Sequence, residues 1–282
     1  MKSLKLPARA KLNLTLDVLQ KRPDGYHDIR SVMHTIDLCD EVTVELGGEC
    51  GCVCNREDIP DGESNLAMRA ARAFCKAADV SPDGVFIRIE KHIPSQAGLG
   101  GGSADAAAVL CALNTLYDDR FSPSQLAAVG AAVGSDVPFC VLGGTALAEG
   151  RGEILTPVSS MPDCAYVLLK PAFSASTPAL YAALDAQEVV AHPDTEGMLR
   201  DLAAGDLHGV AGKLGNVFQP VLNASYPVNA LCKNLLDAGA LGAALTGSGS
   251  VVFGVFADLP AAERAAKRLQ GGDYEIFTAQ NG

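Results

Sequence analysis

Positive charge is scarce in this sequence: 22 lysines and arginines stand against 33 aspartates and glutamates, a formal charge of −11. That deficit argues against a protein that binds nucleic acid or an anionic membrane through bulk electrostatics. Long uncharged apolar runs are missing too. The most apolar tracts are broken by Asp105, Asp136 or polar loops, so none reads as a bilayer span. Asn13, Thr15 and Asp17 interrupt the N-terminal stretch where a secretory signal needs continuous apolar residues. The expectation is a cytoplasmic protein. There is no internal repeat and no low-complexity segment. A dense disulfide framework is also absent, because the nine cysteines form an odd, scattered set, mostly in apolar segments, that reads as reduced core residues. Cys50, Cys52 and Cys54 have a period of two that would put three thiols on one strand face. No fourth ligand stands at a zinc-type spacing, so a small apolar strand face is expected rather than a metal site.

What is present suffices for a large core, with 48% hydrophobic and 20% charged residues over 282 positions. A single core stops growing near ~250–300 residues, which favours two domains. The Pro157–Pro162 stretch is the natural boundary, giving residues 1–157 and 158–282. Leu12–Leu19 alternates as a half-buried strand, a second alternating run reaches Asp37, and Val42–Leu46 and Val85–Ile89 read as further strands. Asn65–Ala78 has helical spacing with Ser64 as N-cap, and Ser122-Pro123 opens another helix that Gly134 closes before Asp136. Beyond the boundary, Ala165–Lys170, Leu241–Thr246, Val251–Phe256 and Tyr274–Phe277 read as strands. Helical patterns cover Thr177–Leu184, Thr195–Ala204, Pro227–Ala238 and Pro260–Leu269. The order implies an α+β chain with two layers in each half.

Three constellations carry chemistry. The run Ile93–Ser103 leads through glycines 98, 100, 101 and 102 into an alanine-rich helix. Unpaired amides and the dipole at such a helix start bind phosphate, and glycines let an anion approach the backbone. A Walker A loop is excluded because Gly102 is followed by Ser103-Ala104 and not by Lys and a hydroxyl residue. The dinucleotide fingerprint is weakened because position 103 is serine. Lys11 and Asp136 each stand beside a regular element. If they meet, the ammonium favours an ionised carboxylate able to accept a hydroxyl proton; separately, each reads as a surface charge or a helix-end cap. Gly25-Tyr26-His27 follows a basic turn and could stack on and hydrogen-bond a flat heterocycle, or simply begin a packed strand.

Together, Pro7–Leu14, Pro94–Ala107 and Leu245–Gly249 resemble, in order, the three motifs of the family of galacto-, homoserine, mevalonate and phosphomevalonate kinases, the GHMP kinases. The resemblance implies a two-domain GHMP kinase fold, with an N-terminal ribosomal-protein-S5-domain-2-like half that binds ATP and a C-terminal ferredoxin-like half. It implies an ATP- and Mg2+-dependent phosphotransferase with Asp136 as base and Lys11 as its partner. The phosphate loop would be Pro94, Ser95, Gln96, Ala97, Gly98, Leu99, Gly100, Gly101, Gly102, Ser103 and Ala104, with Asn65, Leu66 and Lys91 on the adenine side. Arg22–His27 resembles the members that act on a cytidine diphosphate-linked methylerythritol. Asn13 would then contact the methylerythritol diphosphate, Tyr26 and Tyr181 would sandwich the cytosine, His27 would pair with its edge, and Thr177 would line the same pocket. Met33 would lie nearby or belong to the core. Ser103 would be the hydroxyl nearest magnesium, with no carboxylate ligand assigned. A monomer or homodimer is expected. One departure stands out: Ser95-Gln96-Ala97 replaces the usual Met-Gly-Ala or Met-Gly-Gly and loses a glycine. A mevalonate- or homoserine-type acceptor, or a nucleotide binder without turnover, remains the alternative.

Overall fold

The computed structural model describes residues 2–187 and 190–282. Two strands of 20 residues open the chain, β1 (Lys2–Lys21) and β2 (His27–Leu46). Val42–Leu46 is therefore the end of β2 and not a separate strand. The alternation in Leu12–Leu19 predicts one buried face, but every residue from Lys11 to Val18 is buried. Asn13, Thr15 and Asp17 thus turn a polar face into protein, where their partners must be other side chains and backbone.

The chain continues through β3 (Gly51–Cys54), α1 (Leu66–Ala78), β4 (Val85–Glu90), α2 (Gly101–Leu116), α3 (Pro123–Ala131) and α4 (Val137–Leu142). After these come β5 (Thr145–Glu149), β6 (Ile154–Pro157) and β7 (Ala165–Pro171), then α5 (Thr177–Asp185), α6 (Thr195–Ala204) and α7 (Leu207–Gly212). β8 (Gly215–Asn216), α8 (Phe218–Asn223), α9 (Val228–Asp237), β9 (Gly242–Leu245), β10 (Val252–Phe256), α10 (Leu259–Arg268) and β11 (Tyr274–Gln280) complete it. Two compact units form, each discontinuous in sequence. One holds the residues up to Lys11 with Leu38–Ser95 and Gly100–Gly143; the other holds Leu12–Asp37, Gln96–Leu99 and Gly144–Gly282.

In the first unit β4 pairs antiparallel with the end of β2, from Glu41 opposite Glu90 to Leu46 opposite Val85, and β3 lies parallel to β4. β4 buries Val85, Ile87 and Ile89 on its inner face. α2 is apolar nearly all round, as a helix surrounded by protein must be. Its Ala104, Ala106, Ala107, Val109, Leu110 and Leu113 are buried, and α1, α3 and α4 pack around it. Two start signals give different results. Ser122 caps α3 as expected and, with Gln125, forms a full capping box, whereas α1 is capped by Asn65, whose Oδ1 accepts the Ala67 N–H at 2.9 Å, and not by Ser64. Among the described residues no cysteine forms a disulfide; within the Cys50–Cys54 run, Cys52 is buried in β3 while Cys50 is exposed and lies outside the strand.

In the second unit β5 pairs antiparallel with Ser31–His34 of β2 and with β6, and β8 runs parallel to Thr15–Leu16 of β1. The other sheet is antiparallel in the order β11-β7-β10-β9. Counted along the chain, that order is fourth, first, third, second, with α10 between the third and fourth strands: the ferredoxin-like arrangement expected of this half. α9 and α10 pack on this sheet over a core that includes Val167, Leu169, Leu235, Leu245, Val252 and Phe256.

Candidate active site

The glycine loop contributes to both units: Pro94, Ser95 and Gly100 onward to the first, Gln96–Leu99 to the second. In the first unit α2 starts at Gly101 behind Gly100, which has φ 71° and provides no side-chain cap. Gly100 offers the first amides of this 16-residue helix no side-chain acceptor, and the dipole adds partial positive charge there, which suits an anion. Gly102 is exposed and Ser103 half-buried, whereas Ala104 is buried and closes the first turn with its N–H on Gly100 O at 2.8 Å.

Lys11 lies against this helix start. A Cβ at Gly100 would meet the Lys11 stem at 3.1 Å, and Lys11 Nζ stands 3.5 Å from Asp136 Oδ2. The lysine side chain is 5% exposed and the aspartate 30%, so a buried ammonium faces a carboxylate that solvent or an acceptor can reach. Asp136 occupies the turn ahead of α4, as its N-cap residue without a side-chain cap bond. Its carboxylate is thus not consumed by capping. Ser103 Oγ lies beside Gly134, two residues before Asp136, at 3.9 Å from a Cβ placed there.

The three residues expected on the adenine side, Asn65, Leu66 and Lys91, stand differently toward the loop. Leu66 packs 3.3 Å from a Cβ placed on Gly102. The Asn65 side chain is used within the protein, capping α1 and donating from Nδ2 to Pro60 O at 2.9 Å. Lys91 is buried, its ammonium bonded to Asp40 and to Asp105. Pro94 is buried and Ser95 half-buried.

In the second unit the loop meets the third motif. Gly98, with φ 76°, would place a Cβ 2.2 Å from Thr246 O, and one at Gly247 would fall 2.8 Å from Gly98 O. Only glycine fits such an approach. Leu99 is buried, as is Ala97, which accepts the Val251 N–H at 3.1 Å. Gln96 takes φ 52°, the left-handed region, at the place where the resembling loops carry glycine. Asn13 is locked by two bonds: its N–H donates to Thr246 Oγ1 at 3.0 Å and its Nδ2 to Ser31 Oγ at 2.7 Å. Met33 is 1% exposed, a core residue.

Tyr26 and His27 diverge. Tyr26 is 56% exposed, with the Arg151 guanidinium 5.0 Å from its ring centre, while His27 is buried. The His27 ring stacks on Tyr181 at 4.5 Å and 21°, and its Nε2 bonds Asp185 Oδ1 at 2.8 Å. Tyr181 in turn meets Phe218 edge-on at 4.9 Å. Thr177 donates from Oγ1 to Ser248 Oγ at 2.9 Å. Thr177, Tyr181 and Asp185 follow one another at intervals of four along α5, so they share one helix face. The sequence marks Asp185 only by its place four residues beyond Tyr181. Hydrogen bonds from Lys21 and His27 favour its ionised form and hold the carboxyl below the ordinary carboxylate range.

No helix among the described residues is long and apolar enough to cross a membrane. The model of the GHMP kinases N terminal domain matches residues 65–144, and that of the GHMP kinases C terminal domain matches residues 198–274. The 4-diphosphocytidyl-2-C-methyl-D-erythritol kinase of Pelotomaculum thermopropionicum is 45% identical over 97% of this chain and 96% of its own length. The enzyme of the same name from Alkaliphilus metalliredigens is 41% identical over 95% and 93%. A crystal structure of 4-(cytidine 5'-diphospho)-2C-methyl-D-erythritol kinase superposes with a TM-score of 0.83 at 33% identity, covering 99% of this chain and all of that one. A homoserine kinase from Cytophaga hutchinsonii shares the fold at a TM-score of 0.79 and 19% identity over 100% and 95%.

Proposed function

The chain belongs to the 4-diphosphocytidyl-2-C-methyl-D-erythritol kinases of the GHMP kinase superfamily, and from that premise we propose which of its residues carry the transfer. The reaction is ATP-dependent phosphorylation of the 2-hydroxyl of 4-diphosphocytidyl-2-C-methyl-D-erythritol, giving ADP and the 2-phosphate. Asp136 accepts the hydroxyl proton. Lys11 steadies the charge on the carboxylate and on the attacking oxygen. The observation that carries this assignment is the 3.5 Å approach of Lys11 Nζ to Asp136 Oδ2, with the lysine stem against Gly100 at the start of α2. Pro94–Ala104 forms the phosphate loop, with the amides at the start of α2 receiving the nucleotide's phosphates, and Asn65, Leu66 and Lys91 line the adenine side. In a loose phosphoryl transfer the protein contributes position and charge rather than covalent chemistry, which is what these groups offer.

Magnesium belongs to the same proposal. The Ser103 hydroxyl, at the start of α2 beside Gly134, is an oxygen donor of the kind it takes. When bound with the nucleotide, the ion neutralises phosphate charge. The triad Glu41, Glu90 and His92 could also gather a cation, but Lys5 already pairs with Glu41 at 2.5 Å. In the second unit Asn13 contacts the acceptor's diphosphate, while Tyr26, His27, Thr177 and Tyr181 take its cytosine. The imidazole now lies on the Tyr181 ring, so a cytosine stacking between Tyr26 and Tyr181 makes that ring yield a face. A division at residues 157/158, a cytoplasmic location and a monomer or homodimer complete the proposal; the two family matches fall on either side of that division.

The test is Asp136→Asn. Turnover should fall by about a hundred- to ten-thousand-fold with the Kd for ATP nearly unchanged, because the loop and not the base holds the nucleotide. A comparable loss of ATP affinity would remove Asp136 from the role of base.

A further inference from the structure

A buried charge cluster adjoins the phosphate loop within the first unit. Lys91 Nζ donates to Asp40 Oδ2 and, at 2.7 Å, to Asp105 Oδ2, and none of the three side chains is more than 4% exposed. Asp40 Oδ1 also accepts the backbone N–H groups of His92 at 2.5 Å and Ile93 at 2.8 Å. β2 thereby grips the segment that runs into the loop. A Cβ at Gly101 would come within 3.2 Å of both Lys91 Nζ and Ile93 Cγ2, so the first residue of α2 rests directly on the cluster. Asp105 ties it to the second turn of the same helix. Its other oxygen, Oδ1, is buried with no hydrogen-bond partner.

Such a cluster is a poor device for stability alone. Desolvating three charges costs several kcal/mol apiece, and well-packed apolar residues often serve as well. Its location says more than its energy: it joins β2, the segment after β4 and α2 at the point where α2 presents its amides. We propose that Asp40, Lys91 and Asp105 are positioning residues for the phosphate loop, fixing the place of the first turn of α2 and through it the affinity for ATP. This rests on the reading of the loop as the nucleotide's phosphate site, and not on the identity of the acceptor.

The experiment is calorimetric titration on the full chain and on Asp105→Asn and Asp105→Leu, with ATP in one series and the acceptor in another. Asp105→Leu, which removes the bond to Lys91, should bind ATP about tenfold more weakly with its affinity for the acceptor unchanged, and asparagine, which keeps that bond, should bind both as the unaltered chain does. Leucine binding ATP as tightly as asparagine, or losing ATP and acceptor affinity equally, would overturn the proposal. If the leucine variant does not fold, Asp105→Ala, which also removes the bond, decides in its place. Failure of the unaltered chain to bind ATP would instead overturn the reading of the loop.

Discussion

At the scale of single residues, the site depends on how closely backbone can approach backbone. Gly98 touches Thr246 O where no Cβ fits, and because the obstacle is backbone the neighbour has no rotamer to give. Gly98→Ala should cost at least about 2 kcal/mol of stability, read as a lower urea midpoint; an unchanged midpoint would mean that this contact is looser than it stands here. His27 depends on a residue that the sequence did not mark. Asp185 holds its Nε2, which leaves Nδ1 as the nitrogen available to a base edge. Asp185→Ala should raise the KM for the acceptor about tenfold and leave the KM for ATP alone. Equal changes in both would make Asp185 a general structural residue.

At the scale of elements, legibility followed local signals. The glycine loop, the capping box of α3 and the alternation of β1 are written in neighbouring residues and can be read there. The choice between Ser64 and Asn65 as the cap of α1 cannot, because both residue types cap well and stand side by side. α4 is not legible, since six residues reading Val-Pro-Phe-Cys-Val-Leu carry too little periodicity to separate helix from strand. Asp136, which the sequence puts just past a helix end, follows α3 and also stands at the start of α4. The buried polar face of β1 contradicts its own pattern for a tertiary reason. Thr15 Oγ1 accepts the Val32 N–H at 3.1 Å, and Asp17 Oδ1 meets His192 Nδ1 at 2.7 Å, partners that alternation does not announce. The Lys11–Asp136 pair and the Asp40–Lys91–Asp105 cluster were beyond sequence for the same reason, being made by packing between distant segments.

At the scale of the molecule, one buried histidine sets an acid limit. His34 of the second unit lies between Thr145 Oγ1 at 2.9 Å and Asn281 Oδ1 at 3.0 Å, and burial lowers its pKa to about 4. The unfolded chain takes up this proton near pH 6.5 and the folded chain only near 4, so between those values the unfolded state binds more protons. The stabilisation is complete above 6.5 and is lost as pH falls through 4, amounting to about 3 kcal/mol. Urea unfolding from pH 7 to 4 should show His34→Gln losing about that much less than the unaltered chain; equal losses would mean that other groups set the limit.

The family kinship points to one acceptor. The direct measurement is ADP release by the purified protein with Mg2+ and ATP, comparing 4-diphosphocytidyl-2-C-methyl-D-erythritol with mevalonate, homoserine and no acceptor. Rapid release with the first alone is the predicted result. Release driven instead by mevalonate or homoserine would contradict the account and reduce Tyr26, His27 and Tyr181 to scaffolding, and no release with any acceptor would leave a nucleotide binder without turnover.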